Sequence, residues 1–277
     1  MTTVAITGIT GLAGGHVARA LRAAGFDLVG ISRRISDTNA DIPIRTVPDL
    51  TDVDAMAAAL ERCDIILHFA DRADRRSYRE EDVGTAAAII TAIRIAAMRN
   101  GIRRIVAFSS IYADRTDRQS DRYGRSKRAM ETVGVELAPG PQALVLRLPP
   151  LYGPGARGAV RHIAHACDRG WPLPFALARA PRRFLSLDAL AGLCVHLADL
   201  KDAVFERAAG RILVPVAAHE GNLAALSRAI GGKRTRLLPV PGIDCLLGGR
   251  VALGQLEKDR DEMFNLVGWQ ASEHTGG

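Results

Sequence analysis

The sequence contains little lysine and little cysteine, and both shortages limit the classes of function that the protein can have. Only four of the 37 basic residues are lysines, and the arginines are scattered rather than gathered into a tail. Although the formal net charge is +7, such scattered charge predicts no nucleic-acid binding, and it suits anionic small molecules. The four cysteines form no CxxC pair, which favours reduced, mostly buried thiols in a cytoplasmic protein.

Other features are missing altogether. No uncharged apolar run is long enough to cross a bilayer, so we expect no membrane contact. The chain starts directly in a strand pattern, and we therefore expect no signal peptide. The seven histidines show no metal-ligand spacing, which predicts no metal site. What remains is a chain of 277 residues, 48% of them hydrophobic, which suits one large α/β domain or a domain with a smaller lobe.

The first sixteen residues carry the most informative pattern. Residues 3–7 (TVAIT) form a short β-branched run that predicts a buried strand, and apolar residues at helical spacing follow from Val17. Gly8, Gly11 and Gly14 lie between them. In this context Gly8 can take a tight turn, Gly11 allows backbone to approach a pyrophosphate, and Gly14 allows the helix to pack closely. The alternative is an ordinary glycine-rich turn.

Strand and helix patterns then alternate, which predicts an α/β fold with a doubly wound parallel sheet of the Rossmann type. We predict strands over 27–32, 42–47, 64–69, 103–109, 143–147 and 211–216, and helices over 54–60, 85–98, 120–137, 160–168 and 188–200. After residue 148 prolines accumulate and the alternation breaks. We therefore expect a cofactor domain over 1–148, to which 184–216 returns, and a small mixed substrate lobe over 149–183 and 217–277.

The end of the second predicted strand bears on the cofactor. An acidic residue there would bind the ribose 2′-hydroxyl of NAD, but this chain has Ser32, Arg33 and Arg34. Arginine can hold a 2′-phosphate through charge-assisted hydrogen bonds. The sequence therefore favours NADP(H), with NAD(H) as the second choice. The alternative is that both arginines only face solvent.

A tyrosine and a lysine four residues apart are the candidate catalytic pair. Tyr123 and Lys127 would share one face of a helix, where the ammonium favours the phenolate form. Such a tyrosine can exchange a proton with an alcohol or a ketone. Ser110, preferred over Ser109, closes the fifth predicted strand, and its hydroxyl can polarise a substrate carbonyl. The alternatives are an exposed helical pair and a serine that caps a loop.

Several motifs together resemble a known family. TGITGLAGG, ILHFA, FSSIYA, YGRSK, RLPPLYGPG and PRRFLSLDALA occur in the order seen in extended short-chain dehydrogenases/reductases that act on nucleotide sugars. The chain is most similar to the epimerase/4-ketoreductase group. This resemblance implies that Ser110, Tyr123 and Lys127 form the catalytic triad, that Lys127 also holds the nicotinamide ribose, and that Ser110 also contacts the substrate.

The same resemblance implies binding roles for other residues. Besides Arg33, Arg34, Tyr123 and Lys127, the implied cofactor contacts are Gly8, Thr10, Gly11, Leu12 and Gly14 in the dinucleotide loop, Asp49 and Leu50 beside the adenine, and Phe69 and Ala70 along the cofactor wall. Arg182 would hold the substrate diphosphate. The alternatives are that Asp49 caps a turn and that Arg182 is a surface arginine in an arginine-rich chain.

The activity implied by the resemblance is NADP(H)-dependent reduction of the 4-keto group of a nucleotide-diphosphate sugar. One alternative is an NAD(P)-dependent UDP-sugar 4-epimerase, and the other is a non-catalytic NADP-sensing regulator. The two arginines favour the reductase, since an exchanging NADPH suits net reduction. Helices 85–98 and 120–137 resemble the dimer helices of the family, which predicts a homodimer, although helices that face the core would look the same.

Overall fold

The computed structural model describes residues 1–34, 41–71, 78–114, 121–138, 140–216 and 221–271. The chain divides into two compact units. The first comprises Met1–Leu148 and Ala191–Val214, and the second comprises Pro149–Leu190 and Pro215–Gly277. We expected the chain to return to the first unit at residue 184. It returns later, because Leu185 and Ser186 pair with Leu151 and Tyr152 in a small sheet of the second unit.

The elements up to residue 148 alternate between strand and helix. In chain order they are β1 (Thr3–Thr7), α1 (Leu12–Ala23), β2 (Asp27–Ser32), β3 (Ile44–Thr46), α2 (Val53–Ala59), β4 (Ile65–His68), α3 (Thr85–Arg99), β5 (Arg104–Ser110), α4 (Arg122–Val135) and β6 (Ala143–Leu148). The later elements are β7 (Leu151–Tyr152), α5 (Ala159–Asp168), β8 (Leu185–Ser186), α6 (Leu187–Asp199), α7 (Asp202–Ala208), β9 (Ile212–Leu213), α8 (Leu223–Gly231), α9 (Ile243–Leu246) and α10 (Leu253–Val267).

The first unit contains one parallel sheet of seven strands in the order β3-β2-β1-β4-β5-β6-β9. This topology confirms the predicted Rossmann-type α/β fold. The chain starts at β1 and builds outward on both sides, so the strand order reverses between β1 and β4. Since ligands of such sheets bind at the carboxyl ends of the strands near this point, the turns after β1, β4 and β5 form the expected binding edge.

The core of this unit explains why its strands are almost continuously apolar. Helices cover both faces of a doubly wound parallel sheet, so both sets of side chains are buried. Buried residues of this core include Ala5, Val29, Ile31, Ile66, Ile90, Ile93, Ala107, Met130 and Val145. Asp52 caps α2, because its carboxylate accepts hydrogen bonds from the N–H groups of Asp54 and Ala55.

The region after residue 200 differs from the prediction in two respects. The strand predicted over 211–216 has only two residues, Ile212 and Leu213, which pair with Val145 and Leu146. Pro215 follows closely and lacks an N–H group, so it cannot extend the ladder. Helix α7 was not predicted, and its Asp202 forms an ion pair of 2.6 Å with Arg104, the first residue of β5.

Helices α3 and α4 pack against each other around a buried arginine. Arg94 of α3 has no exposed surface, and its guanidinium donates to the backbone oxygens of Val133, Glu136, Gly140 and Pro141. These carbonyls include the end of α4, whose last oxygens have no partner within the helix. One face of α3 is therefore used within the chain. The homodimer stays a prediction, and the mass of the protein in solution would test it.

The second unit has a core of its own, in which Ile163, Cys167 and Phe184 pack with Leu173 and Leu226. Its two strands, β7 and β8, form a separate parallel pair. Over the ranges that the structure describes, every helix is too short or too polar to cross a membrane.

Candidate functional site

The turn between β1 and α1 requires glycine at two positions. Gly8 has a φ of +72°, and a Cβ there would lie 2.7 Å from the backbone nitrogen of Ala70. A Cβ on Gly14 would overlap with the carbonyl oxygen of Gly8. The helix therefore rests directly on the turn, and the turn rests on the chain that follows β4.

The first turn of α1 fits a phosphate group. Gly11 is the N-cap, and it has no side chain that could accept a hydrogen bond from the first N–H groups of the helix. The first turn carries no acidic residue either. Free N–H groups and the positive end of the helix dipole attract anions. Thr10 and Leu12 flank Gly11 with exposed and half-buried side chains, respectively, so this loop could hold the pyrophosphate of a dinucleotide.

Thr7 joins the ends of β1 and β4. Its Oγ1 accepts a hydrogen bond from the Ala70 backbone N–H at 3.2 Å and lies 2.7 Å from His68 Nδ1. Burial, together with the charge of Lys127, lowers the pKa of His68 to about 4. His68 is therefore neutral near pH 7, and its Nδ1 can accept a hydrogen bond from the Thr7 hydroxyl.

The predicted cofactor wall lies beside this junction. Phe69 stacks on Phe108 of β5 with ring centroids 3.7 Å apart, and Ala70 is fixed by Thr7. Asp49 and Leu50 lie farther out, after β3. Asp49 accepts hydrogen bonds from the backbone N–H and the hydroxyl of Thr51, which lowers the pKa of its carboxyl. Asp49 therefore caps the turn, which was the alternative role considered for it, while the Leu50 side chain belongs to the core.

Arg33 and Arg34 directly follow β2, and both are exposed. The backbone N–H of Arg34 donates to Ser32 Oγ at 3.4 Å, which shapes the start of the loop. The next six positions lie outside the described residues. The two guanidinium groups are thus accessible near the carboxyl edge of β2, where the predicted 2′-phosphate contact would be made.

Tyr123 and Lys127 share one face of α4, which begins after Asp121. The Asp121 carboxylate accepts a hydrogen bond from the Gly124 N–H and so caps the helix. Lys127 Nζ lies 5.9 Å from the centroid of the Tyr123 ring. Tyr123 is half-buried, whereas Lys127 is buried, so the alternative of an exposed helical pair is wrong.

Buried partners hold the ammonium of Lys127. Nζ donates to the Phe108 carbonyl oxygen at 3.0 Å and lies 2.5 Å from Asp71 Oδ2. Burial opposes the charge, but the Asp71 carboxylate, with help from Tyr123 and Glu131, outweighs it and raises the pKa of Lys127. Lys127 is therefore a charged, immobile group at neutral pH.

Ser110 ends β5 next to this pair. Its Oγ accepts a hydrogen bond from the Tyr112 N–H at 3.4 Å, and the Tyr112 ring meets the Tyr123 ring edge-on at 6.1 Å. The structure thus brings Ser110, Tyr123 and Lys127 to the same end of β5. Ser109 instead donates to the buried carboxylate of Glu131 at 2.5 Å, which supports the preference for Ser110.

Residues 4–199 match the model of the NAD dependent epimerase/dehydratase family. The chain belongs to this family. It is accordingly an NAD(P)-dependent enzyme of the short-chain dehydrogenase/reductase type. This assignment argues against the alternative of a non-catalytic regulator.

Individual relatives of the epimerase/dehydratase family are distant in sequence. A UDP-glucose 4-epimerase from Vibrio cholerae is 24% identical over an alignment of 303 positions, gaps included, that covers 97% of this chain and 90% of that protein. The structure of UDP-N-acetylglucosamine 4-epimerase from Bacillus cereus matches with a TM-score of 0.72 at 15% identity, over 99% of this chain and 92% of that one. The UDP-glucose 4-epimerase from Thermotoga maritima, solved with UDP-glucose, gives a TM-score of 0.67 at 16% identity, over 98% and 94%. At these identities the structural matches show the shared fold.

The remaining predicted residue of this epimerase/dehydratase chain, Arg182, lies in the second unit. Only 4% of it is exposed, so the alternative of a surface arginine is wrong. Its guanidinium donates to the Gly248 carbonyl oxygen and to Asp244 Oδ1, the latter at 3.3 Å. Asp244 also accepts from the N–H groups of Arg179 and Ala180, so it fixes the loop before Arg182.

Sequence reasoning missed two parts of the site. Asp71 follows the ILHFA motif directly, and a carboxylate at the end of β4 was the available signal. Glu131 lies four residues beyond Lys127 on the same helical face, and it binds Arg147 of β6 through two oxygens at 2.8 and 2.9 Å. This buried pair ties α4 to β6 behind the catalytic candidates. Within the described ranges, no three His, Cys, Asp or Glu side chains are grouped as a metal site.

Proposed function

We propose that this enzyme binds NADP(H) and reduces the 4-keto group of a nucleotide-diphosphate sugar, with Tyr123 as the proton donor. The observation that carries the proposal is the arrangement of Tyr123 beside a buried, charged Lys127 at the end of β5. This is the edge of the sheet where a ligand of a doubly wound fold binds. When bound, the nicotinamide supplies the hydride that this chemistry needs.

Each residue of the proposed triad has one task. Ser110 donates a hydrogen bond to the substrate carbonyl oxygen and stabilises its developing negative charge. Tyr123 delivers its hydroxyl proton to that oxygen. The Nζ of Lys127 is bound by Phe108 and Asp71, which would keep its ammonium beside the phenol and the ribose of the cofactor.

The cofactor would be held by the turn after β1 and by the wall after β4. The N–H groups in the first turn of α1, including that of Leu12, would bind the pyrophosphate, and Gly11, whose own N–H donates to the Gly8 carbonyl oxygen, would let it come close. Phe69 and Ala70 would line the nicotinamide side. Asp49 and Leu50 would lie near the adenine. The accessible guanidinium groups of Arg33 and Arg34 support the preference for a 2′-phosphate.

Arg182 is the proposed diphosphate contact of the substrate. Its buried Nε has no hydrogen-bond partner among the described residues, and a buried donor of this kind calls for an acceptor. Arg250 is close enough to act electrostatically on both Arg182 and Asp244, so the local charge is positive on balance. An anionic substrate group suits this environment.

A UDP-sugar 4-epimerase is the second candidate, supported by the epimerase activities of the similar proteins from Vibrio cholerae and Bacillus cereus. An epimerase returns its cofactor to the starting state in each turnover, whereas a reductase consumes it. The test adds a UDP-4-keto sugar and NADPH to the purified enzyme, and separately UDP-glucose with NAD. Loss of the reduced-nicotinamide absorbance in proportion to product supports the reductase. Formation of UDP-galactose without a net change in cofactor would instead support the epimerase. If neither assay shows a reaction, both candidate functions are contradicted.

Replacing Arg33 by Ala should weaken NADPH binding about tenfold while NADH binding changes little, because a charge-assisted bond to the 2′-phosphate is lost. Titration calorimetry measures both affinities. Arg22→Ala is the matched control, since Arg22 is an exposed arginine in the last turn of α1, at the end of the helix opposite the glycine loop. Equal losses for both cofactors would refute the 2′-phosphate contact.

A further inference from the structure

The ion pair between Asp71 and Lys127 is built into the interior of the first unit. Lys127 is 6% exposed, and its Nζ lies 2.5 Å from Asp71 Oδ2. The other oxygen of Asp71 accepts a hydrogen bond from the hydroxyl of Tyr78, a residue that is 5% exposed. The Tyr78 ring also meets the Tyr123 ring edge-on at 5.2 Å. Asp71 is thus fixed from two sides, and it directly follows the proposed cofactor wall.

The described neighbours of this pair add no net charge. His68 is neutral near pH 7, as its lowered pKa of about 4 requires. Glu131, which acts on Lys127 from one helical turn away, is paired with Arg147 at 2.8 Å. Tyr78 and Tyr123 contribute aromatic rings. Asp71 is therefore the carboxylate in direct contact with the Lys127 ammonium, whereas Glu131 acts on it from farther away and is itself paired with Arg147.

We propose that Asp71 is a positioning residue that cancels the charge of Lys127 and thereby favours the oxidised form of the bound nicotinamide cofactor over the reduced form. The oxidised nicotinamide ring carries a positive charge, and the reduced ring is neutral. A lysine without a counter-ion would repel only the oxidised ring, since charges interact strongly in a buried site. This inference rests on the proposed function, in that the nicotinamide must bind at the ends of β1, β4 and β5.

The test compares the dissociation constants of the oxidised and reduced cofactors, measured by calorimetry without substrate. Asp71→Asn keeps the size of the side chain and removes its charge. We expect the ratio of the oxidised to the reduced dissociation constant to rise about fivefold or more. A fivefold rise corresponds to a bound-cofactor potential about 20 mV more positive, at about 30 mV per tenfold change for two electrons.

Tyr78→Phe is the matched control, because it removes the other hydrogen bond to Asp71 and leaves the carboxylate in place. Its ratio should stay within about twofold of the original enzyme. A purely structural role of Asp71 would weaken both cofactor forms equally and leave the ratio unchanged. An unchanged ratio in a folded Asp71→Asn variant would therefore overturn the inference.

The double variant Asp71→Asn/Lys127→Met covers the case in which the single variant does not fold. It removes both charges together, so no buried charge is left unpaired. Its ratio should return to within about twofold of the original enzyme, and a ratio that stays raised would overturn the charge argument. If the unaltered enzyme binds neither form, the proposed function fails instead, and the two failures are thus distinguishable.

Discussion

Replacing Tyr123 by Phe is expected to lower kcat about a thousandfold in whichever of the two assays shows turnover, because the proton donor of the proposed reaction is lost. The ring would keep its edge-on contacts with Tyr78 and Tyr112, so the site should stay intact. Cofactor affinity should therefore change by less than about threefold. Steady-state kinetics and calorimetry on the same preparation measure the two effects separately.

Tyr78→Phe is the appropriate comparison for this variant. Tyr78 packs on Tyr123, and Tyr78→Phe also removes one hydroxyl group. In the proposed mechanism this hydroxyl donates to Asp71 and not to the substrate. We expect it to lower kcat by less than about tenfold, the cost of one indirect contact. If Tyr123→Phe retained the turnover of the original enzyme, or if the two variants lost it equally, Tyr123 would not be the proton donor.

Replacing Arg94 by Met should lower the free energy of unfolding by about 4 kcal/mol, a large share of the stability of a typical domain. Methionine can fill much of the space but cannot donate. The carbonyl oxygens of Val133, Glu136, Gly140 and Pro141 would lose their buried donor. Urea denaturation followed by circular dichroism measures the change.

Arg99→Met on the same helix is the control for the arginine-to-methionine change itself. The side chain of Arg99 is 50% exposed and pairs with an exposed Asp54, so its loss should cost less than about 1 kcal/mol. A similar loss for both variants would mean that the buried position of Arg94 contributes nothing special to stability.

Local sequence patterns predicted most of the first unit because its strands and helices follow simple rules. The β-branched runs of β1 and β2 are buried on both faces, and such runs have few alternatives to a central strand. The bounds predicted for β2 match the structure. At the edges of the sheet the length of an apolar run no longer predicts the length of the strand, since β9 pairs through only two residues.

Burial of charged side chains could not be predicted, because it depends on partners that are distant in the sequence. Arg94 lies in an apolar stretch, but the carbonyls that it binds are about forty residues later. Arg182 was expected in an anion site or on the surface, and its partner Asp244 is 62 residues away. Asp71 matters because the fold brings the chain that follows β4 to Lys127 of α4, which lies more than fifty positions later.

The interrupted connectivity of the first unit has a consequence for synthesis on the ribosome. Strand β6 ends at Leu148, but its neighbour β9 begins only at Ile212, after a part of the second unit and helices α6 and α7. At typical elongation rates the ribosome needs roughly 3 to 13 seconds to make residues 149–211. During this interval one edge of β6 in the nascent chain has no partner, and an unpaired edge can join another nascent strand. Chaperone demand should therefore peak while the segment between β6 and β9 is being translated.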